Sequence, residues 1–169
     1  TTNTKQVQLE ITTDHYRSIL GSIQFVACNT RPDIAFITNI LTRYNLKPQR
    51  QHLTALAKLV KYLNTTKHFQ LCYSPTSGPL QIQSYTDADW AQQDIKCHSY
   101  SGQITMLNGC AIDWKSKRQS SIATSTMQAE YMAGSKAAQQ GIMHERLLLD
   151  LNRKPPQPVC VLIDNKAAI

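Results

Sequence analysis

Apolar residues in the first third of the chain recur at helical spacing. Between His15 and Cys28 they fall at Tyr16, Ile19, Leu20, Ile23, Val26 and Ala27, one stripe of a helix. Pro32 suits the start of a second helix, with Ile34, Ile37, Leu41 and Tyr44 on one side. Pro48 opens a third, with Leu53, Leu56, Leu59, Val60 and Leu63 inward and Arg50, Lys58 and Lys61 outward. Three short amphipathic helices have too small a core to be very stable alone, so they should pack on the remainder of the chain. After Lys67 the period shortens. Phe69, Leu71 and Tyr73 alternate with polar neighbours, which predicts a short strand. The run Ser74 to Pro79 reads as a turn or linker and divides the chain into segments 1–73 and 80–169.

The second segment changes pattern again. Leu80, Ile82 and Ser84 alternate with Gln81, Gln83 and Tyr85 in a strand ending at Thr86-Asp87. Tyr100 to Leu107 and Cys110 to Lys115 are two further strands, joined by Asn108-Gly109, a strong two-residue hairpin signal. Ser125 followed three residues later by Gln128 fits a capping box, and a helix should run from there to about Asn152, weakened slightly by Gly134 and Gly141. Val159 to Ile163 is a short apolar run, read as a buried parallel strand closed by Asp164-Asn165. Residues 166–169 look like the start of another helix. The long helix supplies the crossover, so the strand at 159–164 should lie parallel to the first and beside it. The expected class is α/β, a mixed sheet with flanking helices preceded by a small helical bundle.

Composition narrows the choices. The chain has 169 residues, 41% hydrophobic and 17% charged, enough for a core and unlike a disordered segment. No apolar run reaches the length of a membrane span, and no signal-peptide pattern opens the chain. Five scattered cysteines without a CxxC pair argue against a disulfide framework or structural zinc and suggest reduced intracellular thiols. The start at Thr1 suggests a fragment or processed product. The net charge of +7 suits an acidic partner such as nucleic acid, or simply a solvated basic surface. Residues 1–70 carry nine Lys/Arg against three acids, and residues 80–169 nine against eight. One part suits a phosphate backbone; the other holds most of the carboxylates.

Asp87 ends the first strand and Asp164 the parallel one, where open sheets gather ligands. Glu130 lies in the first turns of the long helix, close enough to lean over the sheet. Converging carboxylates repel one another unless a cation holds them, and Mg²⁺ prefers carboxylate and water oxygens. Each acid alone could equally be a cap or a surface residue. Asp89 shares the strand parity of Asp87, so spacing does not separate the two. Asp94 and Asp113 read as loop or surface.

Tyr85-Thr86-Asp87-Ala88-Asp89-Trp90-Ala91, the run Ala111 to Gln119, Ala129-Glu130-Tyr131-Met132-Ala133 and Ile163-Asp164-Asn165 resemble the ribonuclease H domain of copia-type LTR retrotransposon polyproteins. Upstream, the run Tyr16 to Ile23, Thr30-Arg31-Pro32-Asp33-Ile34-Ala35 and Leu59-Val60-Lys61-Tyr62-Leu63 resemble the thumb end of the reverse transcriptase in the same polyproteins. The resemblance covers nearly the whole chain in order. It implies a ribonuclease H-like fold, with Asp87, Glu130 and Asp164 as metal-binding catalytic carboxylates and Asp87 favoured over Asp89. It implies two Mg²⁺ ions, with Mn²⁺ as a possible substitute, acting on the RNA strand of an RNA–DNA hybrid. The setting implied is cytoplasmic, in a virus-like particle, or nuclear.

Two features depart from the family. Gln128 stands where many relatives have Glu. The family also uses a fourth carboxylate on a helix beyond the fourth strand, and the sequence ends at Ile169 before one. Weak or no cleavage with Mg²⁺ binding retained is therefore the expectation for these residues alone, with an open sheet edge that a protein partner could complete. The alternative function is a domesticated, catalytically silent module that binds nucleic acid or protein in a host assembly. Lys115, Lys117 and Arg118 beside Trp114 suit phosphate contacts, or a core Trp with solvated lysines. Ser120, Ser121 and Thr124 could donate to phosphates, although capping explains Ser125. Tyr85 and Trp90 suit core packing or a substrate groove. His52, His68, His98 and His144 lack ligand spacing, and Cys97-His98 is an isolated pair.

Overall fold

The computed structural model describes residues 12–74, 78–90 and 98–165. The order is α1 (Thr13–Asn29), a 3-10 turn (Pro32–Ile34), α2 (Ala35–Thr42), α3 (Arg50–Thr65), β1 (Ile82–Asp89), β2 (Tyr100–Leu107), β3 (Cys110–Arg118), α4 (Thr126–Asp150) and β4 (Cys160–Ile163). Among the described residues, no helix is long and apolar enough to cross a membrane. The four strands form one mixed sheet in the order β3-β2-β1-β4. β1 is antiparallel to β2 and parallel to β4, with α4 as the crossover. This mixed α/β architecture is compatible with a ribonuclease H-like fold.

The bundle closes around the stripes that periodicity picks out. Tyr16, Leu20, Ile23, Ala27, Ile34, Leu41, Leu56 and Leu59 form its buried core. The Tyr16 hydroxyl donates to the Leu41 carbonyl at 3.0 Å, which removes the penalty of burying the phenol. Arg31 is buried but fully engaged. Its guanidinium pairs with both Asp33 oxygens and donates to the Thr66 carbonyl and hydroxyl, tying the end of α3 to the 3-10 turn.

The sheet has two unlike faces. Ile82, Ser84, Thr86 and Ala88 are buried toward α4, while Tyr85, Asp87 and Asp89 stand exposed on the other face. The bundle docks on that second face over β2 and β3. The Trp114 indole N–H donates to the Ala27 carbonyl at 2.7 Å, Phe36 meets the Tyr100 ring edge-on, and Arg43 donates to the Tyr100 hydroxyl.

Six local expectations are corrected. Val60 is 44% exposed rather than inward. β4 ends the strand order among the described residues, and Cys160 and Leu162 are exposed, so it is not a buried strand. Asp113 is half-buried within β3 rather than in a loop or at the surface. Residues 69–73 form no strand, because their alternation finds no neighbouring strand to pair with. Phe69 and Tyr73 are exposed instead, and the Tyr73 hydroxyl donates to the Ala111 carbonyl. The α4 cap is only half a capping box. Ser125 Oγ accepts from Gln128 N–H, but Gln128 Oε1 reaches back one residue too far, to the N–H and hydroxyl of Thr124. Gly134 and Gly141 are more than weak points of the helix. A Cβ on Gly134 would lie 2.5 Å from Ile163 Cδ1, and one on Gly141 2.4 Å from Val159 Cγ1, so the glycines let α4 lie close on β4. The hairpin holds as expected: Asn108 and Gly109 both take positive φ, as this tight turn requires. The proposed helix start at 166–169, and Asp94 and Cys97, lie outside the described residues.

Candidate metal centre

Three elements bring three carboxylates to one point. Asp87 comes from the C-terminal end of β1, Asp164 directly follows β4, and Glu130 projects from the second turn of α4. One oxygen of each lies within 4.8 Å of the others. The parallel β1–β4 pair fixes this. Thr86 pairs with Ile163 in the last rung, so the next residues, Asp87 and Asp164, are delivered together.

Glu130 is the buried member, 3% exposed, whereas Asp87 and Asp164 are exposed. Its Oε1 accepts from the Ala88 backbone N–H at 3.2 Å, which locks α4 to the end of β1. Its Oε2 is buried and has no hydrogen-bond donor. Burial pushes the Glu130 carboxyl above the usual range; the Ala88 N–H opposes this, and Asp87 and Asp164 push it further up. A buried carboxylate with one oxygen lacking a donor, clustered with two more carboxylates, fits a divalent cation well. Such an ion would satisfy the orphaned oxygen and offset the mutual repulsion at once.

Sequence reasoning missed Gln119. It is 1% exposed and joins three elements: its side-chain amide donates to the Ser101 hydroxyl and, at 2.9 Å, to the Ala129 carbonyl next to Glu130. Its backbone N–H bonds Ser99 O at 2.7 Å. Gln119 therefore holds the first turn of α4, and with it Glu130, against the sheet. A polar residue at the end of a strand pattern, between basic and serine-rich runs, gave no periodicity signal of burial.

The other candidates scatter. Asp89 is not in the carboxylate cluster. Lys115 and Lys117 are exposed on the edge strand β3, and Arg118 is half-buried. Lys115 donates to Gln140 on α4 at 3.1 Å, and with Lys117 and Lys136 it lines a basic cleft between β3 and α4. Lys136 was not singled out by sequence. Arg50, Lys58 and Lys61 are exposed on α3, as expected of the outer face. Trp90 is a packing residue: it lies on the Ala88, Ala123, Ala129 and Ala133 cluster and donates to the Ala123 carbonyl. Tyr85 is not in the core; it is 43% exposed.

The chain is 32% identical over 153 residues to the Pol polyprotein of transposon RE1 from Arabidopsis thaliana, covering 90% of the chain and 10% of that protein. It is 34% identical over 154 residues to the Pol polyprotein of transposon TNT 1-94 from Nicotiana tabacum, covering 91% of the chain and 11% of that protein. Over nearly its whole length the chain is thus similar to one segment of retrotransposon Pol polyproteins, which supports a retrotransposon origin. It spans about a tenth of the length of these Pol polyproteins. Another relative of this chain is the secreted RxLR effector protein 161 of Plasmopara viticola, 35% identical over 127 residues, 75% of the chain and 89% of that protein. No family model and no solved structure matches.

Proposed function

We propose that this Pol segment is the thumb-to-ribonuclease H part of a retroelement reverse transcriptase, which hydrolyses the RNA strand of RNA–DNA hybrids. The observation that carries this reading is the convergence of Asp87, Glu130 and Asp164 at the ends of two parallel strands, with one Glu130 oxygen buried and undonated. These three residues would hold Mg²⁺, or Mn²⁺ in its place. The chemistry that two such ions supply is activation of the attacking water and stabilisation of the departing 3′ oxygen. The chain's own part is positional. The Ala88 N–H orients Glu130, Gln119 fixes the helix that carries it, and the β1–β4 register sets Asp87 against Asp164. Lys115, Lys117 and Arg118 on β3, and Arg50, Lys58 and Lys61 on α3, supply phosphate contacts, with RNA told from DNA by its 2′-hydroxyls.

The test is a labelled RNA–DNA hybrid incubated with the protein and Mg²⁺. Residues 1–169 alone should cleave weakly or not at all while binding Mg²⁺; extended by a downstream Pol segment that supplies a fourth carboxylate, the protein should cleave the RNA strand, a reaction abolished by Asp87→Asn and weakened steeply by salt. Cleavage that survives Asp87→Asn would move the chemistry elsewhere, with Asp89 the first alternative. A second reading is favoured by the Plasmopara relative, a protein of which this region makes up nearly the whole. It is a catalytically silent module that binds nucleic acid or protein. Metal binding without hybrid cleavage even in the extended protein would support it.

A further inference from the structure

We propose that the cleft between β3 and α4 is a seat for a phosphate group, held by the ammonium groups of Lys115, Lys117 and Lys136. Of the function proposed above it uses only the phosphate contacts of Lys115 and Lys117, and it stands whether or not the carboxylates support cleavage. The cleft has a volume of about 350 Å³, and all three lysines line it.

Strand parity builds one wall. Lys115 pairs with Gln103 and Lys117 with Ser101, on the rungs of Thr86 and Ala88. These four residues therefore share the face of the sheet that Thr86 and Ala88 bury toward α4. The helix supplies the other wall, with Lys136 and Gln140 one turn apart on the same flank. Gln140 Oε1 accepts from Lys115 Nζ at 3.1 Å, which ties the two walls together.

The fold does not balance the charge it gathers here. Asp113 Oδ2 lies 3.7 Å from Lys115 Nζ. Lys117 and Lys136 have no ion-pair or hydrogen-bond partner among the described residues. Lysines on an open strand edge discourage pairing with another chain, which accounts for Lys115 and Lys117. It does not account for Lys136, which stands on a helix where its charge repels theirs. An anion between the three replaces that repulsion with charge-assisted hydrogen bonds.

Gln103 is the second, independent observation. It lines the cleft, and its amide nitrogen is enclosed and donates to nothing. Turning that amide toward the cleft breaks no hydrogen bond of the nitrogen and gives it an acceptor. A phosphate, with several acceptor oxygens and a negative charge, answers the amide and the lysines together. The seat is separate from the metal centre. β3 lies two strands from β1, so the cleft is about 10 Å across the sheet from the Ala88 N–H that holds Glu130. Its occupant is a second phosphodiester of a bound backbone or a free phosphate ion.

The experiment follows isotope-labelled protein by NMR in EDTA, so that the carboxylates hold no metal. Inorganic phosphate is titrated against sodium chloride of equal ionic strength. The side-chain amide signals of Gln103 and Gln140 should shift saturably with phosphate and not with chloride. Lys136→Gln should weaken this binding about threefold, the size expected of one solvent-exposed ion pair. Lys154→Gln, the same change of charge beyond the end of α4, should leave it unchanged. Shifts that follow ionic strength alone, or an equal loss in the two variants, would overturn the seat. An RNA–DNA hybrid dodecamer added in the same buffer then distinguishes the sources. Movement of the same two signals with displacement of phosphate supports a backbone phosphodiester; signals left in place by the hybrid support a free phosphate ion. Hybrid cleavage in Mg²⁺ is scored separately: cleavage without the phosphate-dependent shifts removes only the seat, and the shifts without cleavage remove only the nuclease reading.

Discussion

The two halves of the molecule are packed on opposite principles. The bundle is filled by large aliphatic side chains, Leu20, Ile23, Ile34, Leu41, Leu56 and Leu59, around a single satisfied phenol. The interface between α4 and the sheet is filled by alanines and buried polar groups: Ala88, Ala129, Ala133, Ser84, Thr86, Thr105, Gln119 and Glu130. Ser84 and Thr105 even hydrogen-bond to each other across β1 and β2 at full burial. The first half gains its stability from apolar area. The second gives up apolar area for close approach, so that a helix can lie near enough to the sheet to place a carboxylate at its end. Where chemistry is assembled the core is small and polar; where it is not, the core is ordinary.

That contrast can be broken from either side. The largest effect belongs to the bundle, where Leu20→Ala should lower unfolding stability by ~2–5 kcal/mol. Mg²⁺ affinity, measured by calorimetry on the protein that remains folded, should be unchanged. On the other side enlargement rather than truncation should hurt. Ala133→Leu is expected to destabilise by ~1–3 kcal/mol through overpacking. It should also weaken Mg²⁺ binding, because it lifts α4 and Glu130 off β1. If Ala133→Leu lowered stability and left metal affinity intact, the link between close packing and the site would fail.

Much of this was legible in the sequence. Most bundle stripes, the Asn108-Gly109 hairpin and the parallel crossover follow from local pattern, because each rests on a period or a turn that neighbours dictate; the acids at the strand ends and helix start were visible too, but spacing did not separate Asp87 from Asp89. The strand at 69–73 failed because alternation describes a residue's two sides and not whether a partner edge exists. Gly134, Gly141 and Gln119 were illegible for a related reason. Their roles lie in what touches them from distant parts of the chain, Ile163, Val159 and Ala129, and no local window contains that contact.

Gln119 allows a sharper, smaller test. Gln119→Leu removes the amide that ties the Ala129 carbonyl and the Ser101 hydroxyl together, a loss of about 1–3 kcal/mol. The expected signature is a fall in Mg²⁺ affinity that Gln119→Asn does not fully restore, since the shorter side chain cannot span from β3 to α4. The smallest effect is a pH dependence confined to the bundle. His52 is buried, stacked on Tyr44 at 3.6 Å, and its Nδ1 accepts the Gln49 backbone N–H, which requires a neutral ring. Burial lowers its pKa below the ordinary value of 6.5. The unfolded chain therefore binds the proton more readily. The stability this group contributes is complete above about pH 6.5 and is lost as pH falls through the lowered value. Unfolding in denaturant should show lower stability at pH 5 than at pH 7.5, and the difference should narrow in His52→Gln.

The four-rung pairing of β1 with β4 also sets an order of events in time. Its two partners are separated by nearly half the chain, so closing that loop is the slowest and latest of the sheet's contacts to form. The β2–β3 hairpin and α4 can assemble early from local contacts, with Asp87 and Glu130 already near each other. Asp164 joins only when the last strand zips alongside β1. During synthesis the growing polypeptide thus carries an incomplete carboxylate cluster until β4 has emerged and docked, and the cluster closes only as the last of the described strands pairs.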